Sequence, residues 1–225
     1  MVSSNEPPTL LERAWAQREE TVYPALFGAL EPSIAPLDAA LFRDMFRQEA
    51  IDPRWLHVGV LIAPPTAARA SWIYMSSGLS NPWESDEPEE LSGLGCELIL
   101  EAPTRADWPV LRLQHAIAFE ILLAAGRYPG RERLGRYDRL PLRSPITFTG
   151  DSLLRFLLIA PTSSPASFFQ LESGQVELMT LVGITEDEAE FARTHGGDML
   201  VEQLQRDGAF PVTLPERHSV LSKDE

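Results

Sequence analysis

Trp83 is followed by Glu84, Asp86, Glu87, Glu89 and Glu90, five carboxylates within seven positions and no base among them. Two readings fit such a run. It is a solvated loop that keeps the chain soluble, or it is an electrostatic landing site for a basic partner with Trp83 as the aromatic anchor. Like charges this close repel one another, a modest cost that a neighbouring cation relieves. A basic partner would supply that cation from outside. The Arg-rich stretch 127–143 (Arg127, Arg131, Arg133, Arg136, Arg139 and Arg143 against Glu132 and Asp138) is the internal alternative.

The other chemistry-bearing patterns point to structure. Gly150-Asp-Ser152-Leu153 spells the block of the GDSL hydrolases, whose serine is a nucleophile that needs a histidine base and an orienting Asp. Here the block falls two-thirds along the chain and before a strand. The late His218 follows Pro215-Glu216-Arg217, so no Asp-x-x-His accompanies it. A turn before a strand is the expectation, and a hydrolase using Ser152 ranks third among the functions considered. The four histidines, His57, His115, His195 and His218, lie far apart and form no local ligand pair, so no metal or other cofactor is expected. His115 falls on a helical face and is expected to be semi-buried and hydrogen-bonded. Gly93 and Gly95 enter a strand rather than leave one for a helix, the reverse of a phosphate cradle. Cys96 follows them in an apolar strand and reads as a small buried hydrophobe.

Composition narrows the partner class. The chain carries 33 acidic against 19 basic residues, a net charge of −14, which repels nucleic-acid phosphates and anionic membranes and attracts a basic protein. Eighteen of those 19 bases are arginine, the residue suited to forked ion pairs, and the one lysine is Lys223. Cys96 is the lone cysteine, which fits a reducing compartment. The first residues show neither a basic nor an apolar segment of the kind that marks a signal peptide. No apolar run approaches the ~20 residues that cross a bilayer. The expected location is cytoplasmic.

The elements that must position these residues are legible from period and punctuation. Residues 1–8 read as a disordered N-terminus. Thr9 and Glu12 form a capping box opening a helix over 10–22 that should stop before Pro24. A second helix spans 37–46. Strands are expected over 55–63 (with Gly59 as a possible bulge), 70–77 and 94–101. Asp107 is the expected N-cap of a helix that runs to about Gly126, with Pro109 in its first turn and Trp108, Leu111, His115, Ala118 and Leu122 on one face. Residues 127–145 are irregular. Segments 153–160, 166–171 and 175–183 read as an antiparallel meander. Thr185 and Glu188 form a second capping box for a helix to about Arg193, and 199–205 is the last helix. Residues 218–225 read as a flexible tail. The whole is one α+β domain over 9–217, a mixed and largely antiparallel sheet with flanking helices.

Four segments occur in a telling order: Trp72-Ile-Tyr74-Met-Ser-Ser-Gly78-Leu-Ser80, Ser92-Gly93-Leu-Gly95-Cys-Glu97-Leu, Trp108-Pro109 and Leu178-Met-Thr-Leu-Val-Gly183-Ile-Thr185. Together with Tyr23-Pro24 they resemble the Suppressor of fused family, over about residues 23–214. Physically these positions read as scaffold. Gly78, Gly93, Gly95 and Gly183 fall at expected strand ends, Trp72 and Tyr74 share a strand face, and Trp108 docks a helix start. Glu97 is the exception. A carboxylate inside an apolar strand requires an ordering hydrogen bond or an ion pair, an Arg of 127–143 being one candidate partner.

The resemblance implies an α+β fold, no catalytic residues and a protein-binding role. Short single-domain bacterial members of the family are read as immunity proteins that neutralise a toxin, and an acidic inhibitor of a basic toxin gains on-rate by steering. The leading expectation is therefore a non-enzymatic binding module of that kind. A regulatory or chaperone-like scaffold that binds a peptide by strand addition is the alternative.

Overall fold

The computed structural model describes residues 7–162 and 165–221. The expected frayed N-terminus therefore lies outside the described residues, apart from Pro7 and Pro8. Of the expected tail, 222–225 also lie outside, while Val220 and Leu221 pack against a core cluster and the Val220 N–H donates to Glu188.

The strands are apolar runs rather than alternating ones because both sheet faces are covered. An eight-stranded sheet has the order β1-β2-β3-β4-β8-β6-β5, with β7 also on β8. These strands are β1 (Ala35–Pro36), β2 (Gly59–Ala63), β3 (Trp72–Ser77), β4 (Leu91–Ala102), β5 (Arg139–Pro141), β6 (Phe156–Pro161), β7 (Phe168–Leu171) and β8 (Gly174–Ile184). The pairings are antiparallel except β4 with β8, which is parallel. This mixed sheet with helices on both faces is the expected α+β class.

Alternation along each strand assigns its residues to layers. Val60, Ile62, Tyr74, Leu98, Leu100 and Leu181 join the core under helix α4 (Trp108–Ala124). Leu61, Ile73, Met75, Ile99 and Leu178 face the opposite way, against Ala14, Tyr23 and Phe27 of the N-terminal helical segment. Farther along that second face, Leu158, Ala160 and Val182 pack against α5 (Glu186–His195) and α6 (Gly197–Arg206). On the first face, α3 (Ala39–Phe46) lies beside α4, with Phe46 stacked on Phe119.

Several local expectations are revised. Pro24 does not stop the first helix. After α1 (Leu10–Ala16) the chain widens into a π-helix over Gln17–Val22, then continues as α2 (Tyr23–Phe27) with Pro24 in its first turn. The Tyr23 N–H reaches back five residues to Arg18, and the wider turn accommodates a proline ring that has no N–H to offer. Pro53–His57 is a 3-10 helix capped by Asp52, so the strand expected from Trp55 begins only at Gly59. Asp107 makes no side-chain cap, and Leu111 is exposed, because the buried surface of α4 is centred on Leu113, Ala116, Ile117 and Ile121. Gly93 and Gly95 lie inside β4 rather than at its start, while Gly183 is the penultimate residue of β8.

The meander is also replaced. Strands β6 and β7 do not pair with each other but share one edge of β8 in tandem, β7 along 174–177 and β6 along 179–184. An 11-residue strand is long enough for both. The capping boxes at Thr9 and Thr185 form as expected.

Candidate functional site

The loop between β3 and β4 carries the acidic run, and its geometry begins with a buried charge. Glu97 is fully buried in β4. Its Oε1 accepts from the Gly78 and Ser80 N–H groups, both at 3.0 Å, and from the Ser80 hydroxyl at 2.6 Å. Its Oε2 accepts from the Ser76 hydroxyl. The expected ordering partner exists, but the arginine is not one of 127–143. Arg18, only 1% exposed, places Nη1 3.9 Å from the carboxylate. The Arg18 guanidinium donates to Ser77 Oγ (3.0 Å), Ser80 Oγ (3.0 Å) and Asn81 Oδ1 (2.9 Å). Ser77 in turn donates to Glu19, and the Tyr23 hydroxyl donates to the Ser76 carbonyl at 2.7 Å. Burial holds the Tyr23 phenol well above its ordinary pKa.

This network pins residues 76–81, the near end of the loop. The far end is held by backbone: Glu89 N–H to Ser173 O, Gln175 N–H to Glu90 O, and Leu94 N–H to Leu79 O. Gly93, at φ +55°, lies so close to the loop that a Cβ would sit 2.3 Å from Asn81 O. The loop is thus closed against β4 at both ends.

Between its ends lies a groove of about 410 Å³. Its floor is apolar, made by Val58, Leu79 and Ile121, with the half-buried Trp55, Trp83 and Leu94 beside them. Its carboxylates are Asp52, Glu84, Glu87 and Glu89, against the single guanidinium of Arg54. Arg54 forks onto Asp52 and donates to Glu84 at 2.6 Å; these two hydrogen-bonded carboxylates raise its pKa. Trp83 stands 6.1 Å from the His57 ring.

The five carboxylates and Trp83 thus lie on one loop. All five carboxylates are exposed, and among the described residues only Glu84 has an ion pair. The internal partner is Arg54 rather than the 127–143 stretch. Within that stretch Arg133 pairs with the buried Glu120 and Arg136 with Glu177. Arg127 lies 6.0 Å over the Trp55 ring. Arg18 and Arg54 were not legible as site residues by motif. Arg18 did carry a signal: it follows Leu10 and Ala14 at helical spacing, a base on an apolar stripe.

The remaining family-motif positions make contacts within the fold. Trp72 and Trp108 are half-buried against the core under α4, and Pro109 is buried in the first turn of that helix. The Tyr74 hydroxyl donates to Ala106 O and accepts from Ala106 N–H. Gly183 leaves no room for a Cβ, which would meet Ile146 at 2.6 Å; its carbonyl accepts from Arg217. Gly95 has φ +71° in β4, where the pairing with β8 shifts register.

Ser152 is buried and donates to the Pro215 carbonyl at 2.6 Å, so its proton goes to an acceptor that cannot act as a base. Burial pushes the Cys96 thiol pKa up, away from reactivity. His115 is semi-buried as expected, but its Nδ1 meets no hydrogen-bond partner among the described residues, and burial, reinforced by the Arg112 charge, lowers its pKa to about 4. No group of metal-ligating side chains occurs among the described residues, and no helix there is long and apolar enough to cross a membrane.

The model of the family described as Suppressor of fused protein (SUFU) matches residues 54–218. A search of curated proteins found no match. Solved structures of similar fold include Drosophila Suppressor of Fused (TM-score 0.58, 21% identity), matched over 72% of this chain and 42% of that one. This chain thus spans about two-fifths of the Drosophila protein's length. A chain of the Sufu–Fu complex matches with TM-score 0.63 and 22% identity over 96% of this chain and 93% of that one. A SUFU homologue from Neisseria gonorrhoeae matches with TM-score 0.63 and 17% identity over 93% and 98%.

Proposed function

The chain belongs to the Suppressor of fused family, and we propose that it is a non-enzymatic, cytoplasmic protein-binding module that captures a basic partner as an immunity-type protein captures a toxin. The observation that carries this reading is the loop of exposed carboxylates fixed beside an aromatic groove. Asp86, Glu87, Glu89 and Glu90 have no ion pair among the described residues. In a chain of net charge −14 they add to a field that speeds encounter with a cationic surface. The Sufu–Fu complex, whose Sufu chain shares this fold, is a precedent for protein binding. The Ser152 hydrogen bond to Pro215 supports a non-enzymatic role.

Strand addition finds less support. The terminal strands β1 and β5 have two and three residues, and short edges offer little template. Gln17 holds the outer side of β7 through Gln170 O and Glu172 N–H.

The test pairs two measurements on a variant with Glu84, Asp86, Glu87, Glu89 and Glu90 changed to Gln or Asn, against the partner recovered with the native chain. The expected result is an unchanged melting temperature with a slower association rate. The native rate should itself fall with added salt over a Debye length of ~8–10 Å. An unchanged association rate would overturn the proposal.

A further inference from the structure

We infer that Arg112 and His115, beside the ring of Phe148, form a binding site for a small monovalent anion, a halide or a carboxylate the size of formate. The site lies in the first half of α4 and goes beyond the partner-binding reading. Three observations converge.

The first is a buried charge with no counter-charge. Arg18 and Arg112 are the two buried arginines among the described residues. Arg18 has the carboxylates of Glu19 at 3.7 Å and Glu97 at 3.9 Å. Arg112 is 2% exposed, and no carboxylate pairs with it among the described residues. The chain has 33 acidic residues, so this is not for want of acids. The Arg112 Nε donates to Ile146 O at 2.8 Å, and its Nη2 donates to Ser144 Oγ at 2.8 Å and to the Pro145 carbonyl. These dipoles answer one edge of the guanidinium, while Nη1 meets no acceptor among the described residues. An unpaired buried charge is costly, and an anion from outside answers it as Glu97 answers Arg18.

The second is a further donor one turn away. His115 follows Arg112 by three positions and so shares its helix face. Its Nδ1 is buried without a hydrogen-bond partner among the described residues. A neutral imidazole that carries its proton on Nδ1 offers a second N–H on that face. The His115 pKa, lowered to about 4 by burial and by the Arg112 charge, leaves the ring neutral near pH 7. One positive charge therefore remains, and one negative charge balances it.

The third is the cover. The Arg112 Cζ stands 3.7 Å from the Phe148 ring centroid, and the His115 ring meets the same ring edge-on at 5.8 Å. Phe148 holds this place at φ +68°, a left-handed conformation rare for a bulky residue, in a turn closed by its N–H to Pro145 O at 2.7 Å. A ring that keeps water from a guanidinium strengthens the attraction of an anion to it, and it limits the anion to a small one. Phe148 is half-buried and its neighbours Thr149 and Gly150 are exposed, so the turn is the way in.

The experiment uses the full chain with nitrogen-15 in its histidine rings, in sodium gluconate exchanged stepwise for sodium chloride at constant ionic strength and pH 7. The His115 ring signals should shift in a saturable manner, toward the pattern of the Nδ1–H tautomer. His57, His195 and His218 are exposed and are internal controls that should barely move. Formate should reproduce the chloride response at similar concentration, and sulfate should not. Arg112→Met should abolish the saturable shift. The exchange should also favour the native chain over His115→Phe by a few degrees in melting temperature, because effects of the salts on solvent are common to both chains. That comparison stands even where Arg112→Met fails to fold.

An unmoved His115, equal shifts at all four histidines, a saturable shift that survives Arg112→Met, or the same melting response in the native chain and His115→Phe would each overturn the inference. A sulfate response at lower concentration than chloride would overturn the assignment to a small monovalent anion.

Discussion

Glu97 and Glu87 are ten positions apart, and their carboxylates live in opposite worlds. Glu97 is fully buried and receives hydrogen bonds from two backbone N–H groups and two serine hydroxyls, with Arg18 close behind. Glu87 stands exposed and has no ion pair among the described residues. The first arrangement resembles an N-terminal cap made by a distant residue: a carboxylate gathers the turn Gly78–Asn81 and fixes where the loop leaves the sheet. The second leaves charge free for something outside. The contrast teaches that a carboxylate's role is set by how completely its lone pairs are taken, and that the satisfied one determines where the unsatisfied ones are presented.

The largest effect should come from breaking the satisfied side. Glu97→Gln takes from Arg18 its fully buried carboxylate, leaving it Glu19 at 3.7 Å, and places an amide N–H₂ group at an acceptor site. A loss of about 3–5 kcal/mol is expected, measured by chemical denaturation, as for other buried pairs deprived of one partner. Arg18→Met added to Glu97→Gln should recover part of that loss, because it removes a buried charge that has lost its buried partner. If the double variant is destabilised by the sum of the two single changes, Arg18 and Glu97 are not coupled.

His115 sharpens the comparison from another side, as a half-buried ionisable group without compensation. Its Nδ1 is unpartnered and its pKa is lowered to about 4 by burial and by the nearby Arg112. A base whose folded pKa lies below its unfolded value of ~6.5 binds its proton more readily in the unfolded chain. Stability is then full above pH ~6.5 and declines as pH falls toward 4. The decline attributable to His115 should be roughly 2–3 kcal/mol. His115→Phe should flatten the stability profile between pH 6.5 and 4 relative to the native chain. A variant with the native slope would show that other groups carry it.

What the sequence made legible follows the same division between local and distant partners. The capping boxes at Thr9 and Thr185 were readable because both halves lie three residues apart. The acidic loop and its tryptophan were readable because their charges are contiguous. The partner of Glu97 was not, because Arg18 lies 79 positions earlier in sequence. Yet each was conspicuous alone: Glu97 as an acid in an apolar strand, Arg18 as a base on the helical face of Leu10 and Ala14. Two misfits of opposite charge on buried faces are candidates for one another. The parallel pairing of β4 with β8 had no local signal at all, and sequence adjacency favoured a meander that β8's length overrides. The groove was equally invisible, since Val58, Leu79 and Ile121 come from three separate elements. Pro24 misled because the π-helix over Gln17–Val22 widens the turn ahead of it, so the chain continues into α2 with Pro24 in its first turn.

The smallest effect expected tests whether the loop is truly free of internal structure work. Among the described residues Arg54 is the one base that reaches it, donating to Glu84 at 2.6 Å while forking onto Asp52. The Arg54 and Glu84 side chains are 43% and 84% exposed. An ion pair this exposed gains little Coulomb energy in water and loses side-chain freedom, so its coupling should be within about 1 kcal/mol. A double-mutant cycle with Arg54→Met and Glu84→Gln measures it directly. If the coupling is small and vanishes in high salt, the loop's charges are surplus to folding, which the partner-binding role requires. If the coupling approaches that of Arg18 with Glu97, Glu84 belongs with the buried network, and the surface offered to a partner shrinks to Asp86, Glu87, Glu89 and Glu90. Association kinetics separate the cases further. Arg54→Met unmasks Glu84 and Asp52, so a cationic partner steered by this loop should associate faster with that variant than with the native chain, and the gain should disappear as salt shortens the Debye length.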